Sequence, residues 1–172
     1  MIESIGINLI ATLISFLFEQ NMLRQSHIDV QGAPFWYEKK DNQNKIYVST
    51  YYDGDLDSID KVKSKVIKKI TIIIENAYQV TIKKEFLKLR STKEIVFIKA
   101  MQNDSHLPIF VKEVIVFQDI EYNKKMRRSF VRAYINLNVL KQYQTQRIIK
   151  IKKEVLDYQF DDMMDELEKE TL

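Results

Sequence analysis

The chain has 172 residues, with 27 Lys and Arg against 24 Asp and Glu, a net charge of +3. That charge is too small to argue for nucleic acid by itself, while 45% hydrophobic residues suffice for a real core. With 3 Gly and 0 Cys, a glycine-rich phosphate cradle, a disulfide framework, a thiolate metal site and a cysteine nucleophile are excluded.

The first element is the apolar run Ile5 to Phe18, "IGINLIATLISFLF". A spanning helix needs about 20 residues, so the run is short for that role and closer to a signal-peptide core. Glu3 precedes it instead of Lys or Arg, and Glu19, Gln20 and Asn21 follow instead of a small-x-small cleavage site. Three readings stay open: an export signal or anchor, a helix packed on its own domain or a partner, and the product of a misplaced start codon. All three predict a hydrophobic helix from about Ile2 to Arg24; the anchor reading attaches residues 2–24 to a membrane.

Pro34 and the only tryptophan, Trp36, come next. Proline fixes the direction of the chain, and an indole buries a large apolar body while its N–H seeks a partner. A docking contact through Trp36 is the sharper alternative. From Lys45 to Tyr52 the residues alternate, Ile46, Val48 and Thr50 against Tyr47, Ser49 and Tyr51, which predicts a strand. "DGDLDSID" stops it, with Asp55 or Asp57 available to cap a helix. The cluster is a poor calcium loop, because the glycine is misplaced and Ser64 stands where a bidentate Glu is needed.

A helix is predicted from about Leu56 to Gln79, since Ile59, Val62, Val66, Ile70, Ile73, Ile74 and Ala77 share one stripe. Lys61, Lys65 and Lys68 form the opposite face, a solvated one or, in the sharper reading, a basic surface for phosphate or anionic lipid. Val80 to Arg90 fits a short strand or a helix. Ser91 or Thr92 with Glu94 resembles a capped start of a helix reaching about Asn103. His106, beside Pro108, reads as a loop residue.

A hairpin follows, with strands predicted at about Ile109 to Ile120 and Arg128 to Val139. In the second, Val131, Ala133, Ile135 and Leu137 point inward, and Arg132, Tyr134 and Asn136 point outward. Lys124, Lys125, Arg127 and Arg128 make a basic knot at the turn, suited to a partner contact or to discouraging edge pairing. From Leu140 to Glu170 the pattern is helical and its charge is split, basic early and acidic late. Leu156, Phe160, Met163, Met164 and Leu167 form a late apolar stripe, and methionines suit an adaptable contact.

The order of apolar leader, Pro-x-Trp, strand, lysine-rich helix, second helical region and hairpin resembles the Lpp-twenty lipoprotein family of Gram-negative envelopes. Pro34 and Trp36, "KIYVSTYY" (Lys45 to Tyr52), the helix from Leu56 and "VKEVIVFQDIEYNKKMRRSFVRAYINLNVLKQ" (Val111 to Gln142) carry the likeness. The lipobox cysteine usual in that family is absent, so lipid anchoring is not implied. The resemblance implies a curved antiparallel sheet backed by helices and a non-enzymatic envelope role, in some relatives linked to flagellar or surface assemblies.

The expected architecture is α+β, a small antiparallel sheet packed on one side by helices. It divides into a hydrophobic N-terminal leader or anchor helix (1–30), the central domain (31–140) and an amphipathic C-terminal helix (141–172). The expected function is an envelope or periplasmic binding and assembly module, with no catalytic residues, cofactor, metal or nucleic acid. The alternative is a cytoplasmic interaction module using the C-terminal helix and basic surfaces. The partner is another protein or a second copy, met through Trp36, Lys124, Lys125, Arg127 and Arg128, or through Phe160, Met163, Met164 and Leu167.

Overall fold

The computed structural model describes residues 2–23, 30–37, 44–86, 92–102 and 104–170, with side chains over 4–19, 30–37, 44–84, 94–102 and 104–155. Phe160, Met163, Met164 and Leu167 lie outside the described side chains. Among the described residues the order is α1 (Ile2–Leu23), β1 (Lys45–Asp53), α2 (Ser58–Phe86), α3 (Thr92–Gln102), α4 (Leu107–Val114), β2 (Val116–Asn123), β3 (Arg128–Asn136) and α5 (Leu137–Glu170). The fold is α+β, as the alternation of periods in the sequence implies.

The sheet has order β1-β3-β2 and is antiparallel throughout. β1 pairs with β3 from Lys45↔Asn136 to Asp53↔Arg128 without interruption. The β2–β3 register shifts between Phe117 and Asp119, which sets Asp119 opposite Arg132. Ile46, Val48 and Thr50 of β1 and Val131, Ala133 and Ile135 of β3 turn to one face. There they meet the α2 stripe of Val62, Val66, Ile70, Ile74 and Ala77, all fully or nearly fully buried. The Ser58 and Ser129 hydroxyls, 2.7 Å apart, tie the start of α2 to β3, and Lys65 Nζ donates to the Tyr51 carbonyl at 3.1 Å.

α2 is longer than its stripe predicts. It absorbs Val80 and Ile82, because Ile82 and Thr81 continue the buried helical face. The strand expected to begin at Ile109 begins instead at Val116. Residues Leu107 to Val114 form α4, with Pro108 in its first turn and Leu107 and Val111 buried one turn apart. Proline in a first turn loses no helical hydrogen bond, and the i, i+4 pair outweighs the β-branched composition. β3 ends at Asn136 rather than Val139; Leu137, still buried, opens α5.

α1 packs against α2 and α5. It is not the hydrophobic helix expected, for its buried apolar residues lie on one side and polar residues occupy the other. Leu9, Ile10, Leu13 and Leu17 are buried, while Ser4, Asn8, Ala11, Ser15 and Glu19 face solvent. Among the described residues no helix is long and apolar enough to cross a membrane. Gly6 lets α1 lie close against α5, for a Cβ there would lie 2.8 Å from Ile148 Cγ2.

A buried polar cluster joins the helices. Arg147 of α5 donates to the Tyr78 hydroxyl at 3.0 Å and to the Met101 carbonyl at 2.9 Å, and its Nε lies 3.6 Å from Asp104. Tyr143 donates to Asp104 at 2.7 Å and stacks on Phe110 with centroids 4.0 Å apart. Burial above all holds the Tyr78 phenol neutral, well above its ordinary range; burial and the Asp104 carboxylate do the same at Tyr143. α2, α3, α4 and α5 are thereby fixed to one another by directional contacts as well as by apolar packing.

Candidate functional site

The face of the sheet opposite α2 carries Tyr47, Ser49 and Tyr51 of β1, Phe130, Arg132 and Tyr134 of β3, and Asp119 of β2. Alternation predicts a solvated face with Arg132 pointing outward. Arg132 is instead only 1% exposed. The Pro-x-Trp segment is the cause, because it folds across the sheet and roofs this side chain.

Four contacts place the segment. Arg132 donates through Nη1 to the Trp36 carbonyl at 2.8 Å. Tyr37 meets Phe130 edge to face, with centroids 5.5 Å apart. Arg128 donates to the Gln31 carbonyl at 3.0 Å, and Asn123 donates to the Gly32 carbonyl at 3.2 Å. Gly32 sits at φ +75, in the left-handed region glycine adopts without strain, and lets the chain turn close over Met126. Trp36 is thus buried by this packing, as a structural role requires, while its neighbour Phe35 stands 90% exposed at the rim.

The face alternates rings with cations. Lys45 Nζ lies 3.9 Å from the centroid of Tyr134 and 5.9 Å from that of Tyr47. The Arg132 guanidinium sits 4.7 Å over Tyr47, and that of Arg128 sits 4.3 Å over Tyr51. Such contacts are electrostatic attractions between a cation and the ring quadrupole. At Lys45, desolvation lowers the ammonium, but the two phenols together outweigh it and hold the group above its ordinary value. Asp119 lies 3.8 Å from Arg132 Nε and compensates the buried charge.

The basic knot is less uniform than its sequence. Arg127 is bound by Asp55, through Nη2 at 2.6 Å and Nε at 3.0 Å, and Arg128 by Asp53. The Asp55 carboxylate therefore serves an arginine across the turn, while its backbone carbonyl accepts from Ser58 N at 2.8 Å. Lys124 and Lys125 stay exposed at the tip. Trp36 and Arg128 belong to the outer face, Arg127 borders it, and Lys124 and Lys125 stand at its hairpin end. The site residues missed in the sequence are Arg132, Tyr47, Tyr51 and Tyr134; the odd-numbered tyrosines of β1 were the signal for them.

Among the described residues no three His, Asp or Glu side chains gather in metal-binding geometry. His106 is the N-cap residue of α4 and borders an open pocket of about 420 Å³ with Phe110, Glu113 and Tyr143. Comparison of the chain with family models, characterised proteins and solved structures finds no match.

Proposed function

We propose that the chain is a non-enzymatic binding and assembly module of the cell envelope, docking a protein partner on the outer face of its sheet. One observation carries this reading: a patch of half-buried tyrosines with Arg128, laid over the buried Arg132 and rimmed by the exposed ring of Phe35. Tyrosine, other aromatics and arginine are the residues that dominate protein interfaces, and they do so best when pre-ordered. Here ordering comes from the buried Arg132–Trp36 contact beneath the patch.

Charge specifies the partner's chemistry. Arg127 and Arg128 are bound by Asp55 and Asp53, while Lys124 and Lys125 are exposed at the hairpin tip, so carboxylates on the partner complement that end. A protein fits better than a nucleic acid. Base stacking needs open ring faces, and Lys45, Arg128 and Arg132 already cap those of Tyr134, Tyr51 and Tyr47. The envelope location rests on the resemblance to the Lpp-twenty family in the order of strand, helices and closing hairpin.

A photo-crosslinking residue at Phe35, with a control at Lys68 on the far side of α2, tests the surface. The expected result is a discrete protein adduct from position 35 only, lost on Tyr134→Ala. Equal adducts from both positions, or none, overturn the docking face. Fractionation tests the location: recovery of the full-length chain from soluble cytoplasm overturns the envelope half of the proposal.

A further inference from the structure

A second surface, remote from the sheet face, lies where α1 meets α5. Gly6, Ile7, Ile10, Ala11, Ile14 and Ser15 of α1 face Lys141, Thr145, Ile148, Ile149 and Lys152 of α5 across a groove of about 730 Å³. On each helix these positions recur at intervals of three and four, so each contributes a single stripe. Ile7 is 67% exposed and Ile149 63% exposed at the lips. Large apolar side chains left open on both lips of a concave surface mark a binding site, and the volume lies within the ordinary range for small-ligand sites.

We infer that this groove binds one long-chain amphiphile with an anionic head. Isoleucines and Ala11 supply walls for an alkyl chain, and lysines stand at both ends of the α5 stripe. Lys141 and Lys152 are eleven residues apart, about 16 Å along the helix. A carboxylate or phosphate head meets the exposed Lys141 while the chain lies along Ile148 and Ile149. Charge disfavours a second copy of the same face. A two-fold interface sets a patch against itself, and the described lining holds no carboxylate to meet Lys141 of a second copy. Concavity disfavours a bilayer surface, which takes the convex apolar side of a helix.

The test is calorimetric titration of the full chain with decanoate, dodecanoate and tetradecanoate below their micellar concentrations, and with the matching alcohols. The expected result is saturable one-to-one binding that tightens about four-fold per added methylene until the groove is full. Alcohols bind at least ten-fold more weakly, and Lys141→Glu loses the same preference. Ala11→Trp fills the groove and Ile149→Glu charges its lip. Both sites are exposed, so both variants keep the melting temperature and lose binding.

Absence of saturable binding overturns the inference. So does affinity that climbs with chain length without levelling and ignores both variants. A doubled mass in light scattering that Ile149→Glu returns to monomer, without alkanoate binding, assigns the groove to a second copy and also overturns it. Binding to phosphatidylglycerol vesicles without binding monomeric alkanoates does the same in favour of a membrane. None of these results bears on the crosslink at Phe35, so the two proposals fail separately.

Discussion

Arg132 donates to the carbonyl of Trp36 across 96 residues of sequence, and this buried bond at 2.8 Å holds the Pro-x-Trp segment on the sheet. The same guanidinium lies over the ring of Tyr47 and close to Asp119. A planar fork can serve a carbonyl, a ring face and a carboxylate at once; an ammonium cannot. Arg132→Met is expected to destabilise the fold by about 2–3 kcal/mol, because the Trp36 carbonyl loses its donor and the Asp119 carboxylate its counter-charge. Arg132→Lys is expected to recover little of that. Urea unfolding gives the magnitude. Trp36 emission, moving to the red in the folded variant, shows that the segment has loosened.

Phe35 contrasts with Trp36 next to it. Its ring is almost wholly in water, so Phe35→Glu is expected to change stability by less than about 0.5 kcal/mol. The same variant is expected to abolish the partner adduct formed from a crosslinker at the neighbouring face. Thermal melting and crosslinking on the same preparation separate a docking residue from a packing one.

Asp104 and Arg147 make a test of a different kind. Both are largely buried, at 7% and 11% side-chain exposure, and each is also bound by neutral groups. Asp104→Ala leaves a buried guanidinium without its counter-charge and is expected to cost about 3–5 kcal/mol. Asp104→Ala with Arg147→Met removes both charges and is expected to be less damaging than Asp104→Ala alone. Denaturant midpoints of the two variants decide the order.

How much of this arrangement is written locally explains which parts are legible. The strand at Lys45 to Tyr52 and the stripe of α2 are set by periods of two and of three to four, and both stand where those periods put them. Leu107 to Val114 misleads because its β-branched residues suit a strand, while the deciding features are Pro108 in the first turn and the burial of Leu107 and Val111 against neighbours. The inward-facing half of β3 is equally plain, yet Arg132 reads as a solvated residue. Its burial depends on a segment nearly a hundred residues upstream folding over it, and no short-range pattern encodes that. The cation–ring ladder is hidden for the same reason, since it is assembled from β1 and β3 across the sheet.

Alkali provides a further check on the helical cluster. Tyr78 is held neutral by burial, so its folded value lies above the unfolded one, which is about 10. A raised value contributes stability that is complete below pH 10 and is lost as pH rises beyond it, because the unfolded chain releases its proton first. Stability is expected to fall above pH 10 with a slope approaching about 1.4 kcal/mol per pH unit from this residue. Tyr78→Phe is expected to cost about 1 kcal/mol at pH 7, through the bond lost from Arg147, and to flatten the alkaline slope. Urea midpoints from pH 8 to 11.5 show whether the two curves converge.

Gly6 and Ile148 test how closely α1 must lie against α5. In a helix interior, alanine ordinarily stabilises over glycine by about 0.5–1 kcal/mol. At Gly6 the new Cβ would meet Ile148 Cγ2 at 2.8 Å, well inside normal contact. That methyl belongs to a β-branched side chain whose χ1 is stiff in a helix, so it cannot swing aside cheaply. Overpacking of this kind costs about 1–3 kcal/mol, which exceeds the propensity gain. Gly6→Ala is therefore expected to lower stability, against the intrinsic trend. In Ile148→Ala the obstruction is gone, and the same Gly6→Ala change is expected to become neutral or stabilising. A double-mutant cycle from thermal melts measures the coupling, and additive effects would mean that the two helices stand further apart than 2.8 Å demands.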